Sequence, residues 1–146
     1  MGKPIPETDS LARYCGASKI LDNKPIGAAF NLRPNEEYLS VNWLEFYNND
    51  DRIKQIEKVV ADVNRAKKTG STSKLALFNM STAIAAVKAI TKHAIQLSAT
   101  HEPISVPSNQ SHAGLHGYLL DNATVENVLA EIVDDVVPAR PVKTEE

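Results

Sequence analysis

The hydrophobic period of the chain changes repeatedly between residues 38 and 100, and this change constrains the fold more than any other feature of the sequence. In 38–46, Leu39, Val41 and Trp43 alternate with polar residues, which is typical of a half-buried strand. In 53–63 the apolar residues recur instead at helical spacing, at Ile53, Ile56, Val59, Val60 and Val63. The two periods in one chain predict an α+β domain, with a small mixed or antiparallel sheet packed against about three helices.

The same patterns predict the other elements. We expect helices at Arg52–Lys68, Thr82–Thr91 and Ala123–Val137, and strands at Ile26–Leu32, Tyr38–Phe46, Lys74–Met80 and Ile95–Thr100. Two segments stay ambiguous. Ser10–Cys15 fits either a capped helical turn or a short strand, and Ala83–Leu97 also fits one long helix.

The length and composition favour one globular domain. The chain has 146 residues, 42% of them hydrophobic, and a chain of this size can bury a core without disulfides. Two prolines and the absence of periodicity predict an N-terminal arm at 1–9. The domain is expected to span 10–138, and a C-terminal tail 139–146.

Charge and hydropathy weigh against several classes of partner. The net charge is −2, so binding to nucleic acid is not expected from the overall charge. The apolar runs are far shorter than the roughly 18–20 residues of a membrane span, and no apolar signal segment follows the N-terminus. The single Cys15 cannot form an internal disulfide. We therefore expect a cytoplasmic protein with no membrane association.

The charges are unevenly distributed along the chain. Residues 52–74 contain seven basic and two acidic side chains, whereas 121–137 contain five acidic and no basic ones. One interpretation is a contact surface for a protein partner or for a second copy of the chain, with Lys67 and Lys68 as candidate binding residues. The other is two solvated helix faces that neutralise one another.

Three histidines are candidates for acid–base chemistry or metal binding. His112 and His116 are four residues apart, a spacing that places two rings on one face of a helix. Gly114 between them and the prolines nearby favour a loop over 101–117 instead, and no cysteine is close enough to complete a soft site. We therefore predict no metal and no cofactor, and retain His101, His112 and His116 as catalytic candidates.

The predicted loop 101–117 is also rich in uncharged hydrogen-bonding groups. Its central part contains candidate ligand-binding residues Ser108, Asn109, Gln110 and Ser111. Long loops in small domains often carry function. Near the N-terminus, Arg13 is a candidate anion partner, and its neighbour Cys15 is either a nucleophile or a buried structural thiol.

Two functions from different classes follow from these features. The first is a small binding or regulatory module that acts through a protein partner or through self-association. The alternative is a small enzyme or ligand-binding protein that uses the loop 101–117 on a phosphate-bearing or otherwise polar ligand. Whether the protein is an enzyme stays open at this point.

Overall fold

A computed structural model describes residues 2–117 and 122–141 and confirms a single α+β domain. Residue 1 of the predicted arm, Asp121 of the acidic segment and residues 142–146 of the predicted tail lie outside this range. The described helices are α1 (Arg52–Ala66), α2 (Met80–Ile90) and α3 (Ala123–Glu131). The described strands are β1 (Lys3–Pro4), β2 (Ser10–Cys15), β3 (Ile20–Leu21), β4 (Lys24–Pro25), β5 (Leu39–Trp43), β6 (Lys74–Asn79), β7 (Ser98–His101), β8 (His112–His116) and β9 (Asp135–Pro138).

Seven strands form one sheet in the order β1-β7-β8-β5-β2-β6-β9, and every neighbouring pair is antiparallel. β3 and β4 form a separate hairpin. The central strand β2 pairs with β6 along its whole length, from Ser10 opposite Asn79 to Cys15 opposite Lys74. On its other side β2 pairs with β5 at two positions, Leu11 with Trp43 and Ala12 with Asn42. This difference between the two sides of β2 positions the candidate site.

The larger core lies on one face of the sheet, under α2 and α3. The alternation of the strands sends Leu11, Val41 and Phe78 to this face, where Phe78 meets Phe30 edge to face at 6.0 Å between ring centres. α2 begins after Asn79, whose side chain accepts a hydrogen bond from the Thr82 amide.

The opposite face of the sheet carries α1. Its stripe of valines, Val59, Val60 and Val63, packs on Ala12, Leu75 and Leu77 of the sheet. The Asp51 side chain caps the first turn by accepting from the Lys54 amide at 2.9 Å. Lys67 has an extended backbone and caps the helix, which ends at Ala66, two residues before the predicted end at Lys68.

Three predicted elements are wrong, and in each case a tertiary contact or a local turn prevails over the pattern. Ile26–Leu32 is not a strand but contains a 3₁₀ turn at Gly27–Phe30. The predicted helix Ala123–Val137 ends at Glu131, because the β-branched residues after it form β9 along the edge of β6. The predicted loop 101–117 contains the internal strand β8, which pairs with both β5 and β7.

The other outcomes concern shorter segments and the two ambiguous ones. Ser10–Cys15 is a strand rather than a helical turn. The strand predicted at Ile95–Thr100 begins only at Ser98, and α2 ends at Ile90, so the alternative of one long helix to Leu97 is also wrong. No helix among the described residues is long and apolar enough to cross a membrane.

Candidate functional site

The candidate site begins where β2 and β5 separate. Beyond the pair formed by Ala12 and Asn42, the two strands share no further ladder pairs, and the side chain of Arg13 lies across the gap. Arg13 Nε donates to the carbonyl of Ala29 and Arg13 Nη1 to the carbonyl of Ser40, both at 2.8 Å. These bonds hold the guanidinium between the strands.

The gap opens into a cleft with two adjoining compartments. Arg13, Tyr14, Ser40 and Lys67 line both of them. The larger compartment, of about 700 Å³, extends past Lys19 and Arg33 towards Glu36 and Glu126. The smaller compartment, of about 210 Å³, extends past three uncharged polar side chains and three apolar ones: Asn42, Asn109, His112, Val63, Ala66 and Ile104. A ligand in the cleft therefore meets cations at the junction and neutral groups in the smaller compartment.

Positive charge dominates the junction of the two compartments. Lys67 Nζ lies 4.4 Å from the centre of the Tyr14 ring. Burial lowers the pKa of Lys67, and the positive charges of Arg13 and Arg33 lower it further. Arg33 is paired with Glu36 at 3.4 Å, whereas within 2–117 and 122–141 no carboxylate forms an ion pair with Lys67. Gathering like charges in one cleft is unfavourable until an anion enters it.

A buried carboxylate organises the wall of the smaller compartment. Asp62 of α1 is 0% exposed, and its Oδ2 accepts from the hydroxyls of Tyr47 and Ser111, each at 2.6 Å. Its Oδ1 accepts from Arg65. Burial raises the pKa of Tyr47, and the hydrogen bond and charge of Asp62 raise it further. Asp62 thus ties the end of the segment 102–111 to α1.

The network continues from Ser111 to the compartment. Since Ser111 uses its hydroxyl hydrogen on Asp62, its oxygen must accept, and Asn42 Nδ2 donates to it at 2.8 Å. Asn42 Nδ2 also donates to Asn109 Oδ1 at 2.7 Å. The charge of Asp62 therefore fixes the amide orientation of Asn42 and, through it, of Asn109.

His112 has a defined tautomer. Its Nδ1 lies 2.7 Å from the carbonyl oxygen of Glu102, which can only accept, so the hydrogen of the neutral ring is on Nδ1. Burial lowers the pKa of His112, which keeps the ring neutral at pH 7. Nε2 of His112 is consequently an acceptor.

The three histidines do not share one site. His112 and His116 lie on the same face of β8, with the Tyr38 ring between them at 6.0 and 5.3 Å from the two imidazole centres. His116 Nε2 lies 2.8 Å from the Thr100 hydroxyl, which donates to Glu102. His101 pairs with Ala113 on the opposite face, where it packs against Trp43 and Phe46. The arrangement therefore separates His101 from His112 and His116, which lie on the other face of the sheet.

The other candidate residues fall into two groups. Arg13, Lys67 and Asn109 line the cleft with His112, and Ser111 is buried behind it. Lys68, Ser108 and Gln110 do not line it. Lys68 is exposed, Ser108 accepts from Arg65 through its backbone carbonyl at 3.3 Å, and the Gln110 carbonyl lies 2.7 Å from His101 Nε2.

Cys15 is buried in the core on β2, and burial raises the pKa of its thiol to about 11. A thiol with this pKa is almost entirely protonated at pH 7 and is a poor nucleophile. Cys15 therefore belongs to the core, the second of the two interpretations given by the sequence.

The charged helices do not neutralise one another, because α1 and α3 pack on opposite faces of the sheet. Three cations of α1 instead have local carboxylate partners: Arg52 with Glu45, Lys58 with Asp50, and Arg65 with Asp62. Association through these charges stays a prediction, now with fewer unpaired cations to support it. In the described part of the chain no group of three His, Cys, Asp or Glu side chains has the geometry to hold a metal ion.

Sequence reasoning missed the carboxylate that organises the site. Asp62 lies among the valines of the α1 stripe and is seven residues after Gln55, which is also buried. A polar pair at this spacing inside an apolar stripe is the signal that the sequence offered. Asn42 lies on the polar side of the alternating pattern that predicts β5. That Asn109 and His112 lie beside it follows from strand pairing, which the sequence pattern does not show. Comparison of the chain with family models, with curated proteins and with solved structures gives no match.

Proposed function

We propose that this protein binds a phosphate-bearing small molecule in the cleft between β2 and β5. The observation that carries the proposal is the junction of the two compartments, where Arg13 and Lys67 line both cavities and Lys67 has no carboxylate partner among the described residues. A phosphate monoester has about −1.5 to −2 charges at pH 7 and several acceptor oxygens, which suits two cations facing one space.

The fixed guanidinium supports the same proposal. Arg13 is held by two backbone carbonyls before any ligand arrives, so little side-chain entropy is lost when an anion binds. Lys67 adds a point charge whose position is limited by the Tyr14 ring. A preorganised cation beside an adaptable one is a common arrangement for anion recognition.

The sequence prediction of a cytoplasmic location fits this proposal. Phosphorylated metabolites are abundant in that compartment, and the protonated, buried Cys15 is the only thiol of the chain.

The test compares two adjacent lysines. Both lysines are exposed, but Lys67 lines the cleft and Lys68 lines neither compartment, so Lys67→Met and Lys68→Met remove the same charge at different places. With ribose 5-phosphate as the probe, calorimetric titration should show binding to the wild type and a loss of about 10-fold or more in Lys67→Met. Lys68→Met should change the affinity by less than about twofold.

Ribose without phosphate serves as the ligand control and should not bind detectably. Equal losses in the two lysine variants would contradict the proposal, since they would show attraction to overall charge rather than to the cleft. Absence of heat or of any thermal shift with ribose 5-phosphate and with nucleotides would also contradict it.

A further inference from the structure

We infer that the phosphate-bearing ligand is a guanine nucleotide, with its base in the smaller compartment. This inference rests on the proposed function and adds the identity of the uncharged part of the ligand. It is carried by three hydrogen-bonding atoms of fixed polarity, on Asn42, Asn109 and His112, which line one compartment beside the cationic junction.

The polarity of the first two atoms follows from Asp62. Asn42 Nδ2 is committed to Ser111 and Asn109, which leaves Asn42 Oδ1 as an acceptor. Asn109 Oδ1 is committed to Asn42, which leaves Asn109 Nδ2 as a donor. The third atom, His112 Nε2, is an acceptor because Nδ1 carries the hydrogen.

These three atoms have no hydrogen-bond partner among the described residues, and their residues line the compartment. Asn42 and Asn109 are only 6% and 5% exposed, yet no other described residue is hydrogen-bonded to Asn42 Oδ1, Asn109 Nδ2 or His112 Nε2. The described side chains also include no buried nitrogen or oxygen without a partner. Each of the three atoms therefore keeps some exposed surface, which we assign to the compartment that their residues line, where a ligand or water completes the hydrogen bonds.

The compartment thus offers two acceptors and one donor. A complementary ring edge has two N–H groups and one acceptor, which describes the guanine edge with its N1–H, its amino group and its O6. Uracil and cytosine each offer the reverse ratio, with two acceptors beside a single donor group. Adenine has a single amino group and no lactam N–H.

The size and the other walls of the compartment agree with a single base. Its volume of about 210 Å³ is below the roughly 300–1,000 Å³ of sites for drug-sized ligands, so it suits one planar ring system. Val63, Ala66 and Ile104 supply apolar surface for the ring faces. Because Arg13 and Lys67 line both compartments, the ribose of the same molecule can extend from the base towards the junction and place the phosphate there, beside the two cations.

Asp62 is a positioning residue in this account. It contacts the base only through Ser111 and Asn42, and its charge sets the direction of every hydrogen bond between them. Replacing Asp62 by a group that can also donate would allow the amides of Asn42 and Asn109 to turn over, which would exchange donors for acceptors in the compartment.

The experiment measures affinities of the full chain for GMP, IMP, AMP, UMP, CMP and ribose 5-phosphate by calorimetric titration. GMP is expected to bind at least 10-fold more tightly than ribose 5-phosphate and AMP, because unpaired polar groups in the compartment penalise the wrong base. IMP, which lacks only the amino group, is expected to lie between GMP and ribose 5-phosphate.

Equal affinity for all five nucleotides and ribose 5-phosphate would overturn this inference while leaving the proposed phosphate site intact. Preference for AMP, UMP or CMP over GMP would overturn it in the same way. Failure of every phosphate ligand to bind would overturn the proposed function itself, so the two failures are distinguishable.

Two variants test the role of the network. Asn109→Ala removes the donor and is expected to reduce the GMP affinity about 10-fold while changing the ribose 5-phosphate affinity less than about twofold. Asp62→Asn is expected to reduce the ratio of GMP to AMP affinity by a similar factor. Should Asp62→Asn fail to fold, Ser111→Ala interrupts the same network without placing an uncompensated group beside Arg65. Unchanged base preference in folded variants would overturn the inference.

Discussion

The two sides of strand β2 differ in how completely they are built. On the β6 side all six residues of β2 have a partner, and the faces are filled by Phe78, Leu75 and Leu77. On the β5 side only two residues have a partner, and the gap is occupied by the guanidinium of Arg13 and by a cleft lined with polar groups. One strand therefore serves as core on one side and as the wall of a site on the other.

Because of this difference, we expect the β6 side of β2 to contribute mainly to stability and the β5 side mainly to binding. Apolar burial on the β6 side contributes to the free energy of folding but exposes no group to a ligand. The incomplete pairing on the β5 side gives up ladder hydrogen bonds, and Arg13 replaces one of them by donating to the Ser40 carbonyl. Substitutions on the two sides should accordingly affect different measurements.

The largest expected effect lies on the closed side. Phe78→Ala removes a fully buried ring that packs against Phe30, and should lower the free energy of unfolding by about 3–5 kcal/mol. Urea denaturation followed by circular dichroism measures the loss. A loss below about 1 kcal/mol would mean that the β2–β6 side is not the main source of stability.

A smaller effect is expected at Gly114, on the polar side of the sheet. A Cβ at Gly114 would lie 2.5 Å from Cγ of the Tyr38 ring, so Gly114→Ala must displace that ring and should destabilise the fold by roughly 1–3 kcal/mol.

Gly16→Ala is the matched control for this variant, since nothing lies within 4 Å of its added Cβ and its φ is −63°. Combining Gly114→Ala with Tyr38→Ala should remove most of the steric cost, which a double-mutant cycle measures. Equal stabilities of the Gly114→Ala and Gly16→Ala proteins would contradict the close packing of Tyr38 on β8.

The smallest effect concerns pH. Because burial lowers the pKa of His112, the unfolded chain takes up this proton at a higher pH than the folded protein does. The stability contributed by the neutral ring is therefore complete above the ordinary histidine pKa of 6.5 and is lost as the pH falls below it.

Denaturation at pH 7.5 and 5.5 tests this sign. The wild type should lose more stability between the two values than His112→Asn, in which the titrating group is absent. A steeper loss in the variant would show that the folded protein favours the charged imidazole, contrary to the neutral His112 of the candidate site.

The sequence predicted the parts of the fold that local patterns determine. The alternation of Leu39, Val41 and Trp43 predicted β5, and the valine stripe predicted α1, because one element buries one face in each case. It did not predict β8, where Gly114 lacks a side chain to show alternation and nearby prolines suggested a loop. The apolar spacing predicts helix over β9 as well, because the pairing of β9 with β6 is a long-range contact that local spacing does not contain.

The sequence predicted several residues of the candidate site but not how the fold brings them together. Arg13, Lys67, Asn109 and His112 were all candidates, yet the reason that they line one cleft is the register of β5 with β2 and β8. Register depends on which face of each strand is buried in the folded protein, and the pattern of a single segment does not determine this. For the same reason, the sequence does not show that His101 and His112 lie on different faces of the sheet. In the structure His101 pairs with Ala113, the neighbour of His112 on β8, and therefore lies on the face opposite to His112.

The central claim is that the open side of β2 is the ligand site, and amide chemical shifts in a ¹⁵N-labelled sample test it most directly. On titration with GMP, we predict the largest shifts at residues 13–14, 40–42, 66–67 and 109–112, with small shifts at 74–79 on the β6 side. Shifts of equal size on both sides of β2, or shifts concentrated elsewhere in the chain, would contradict the claim.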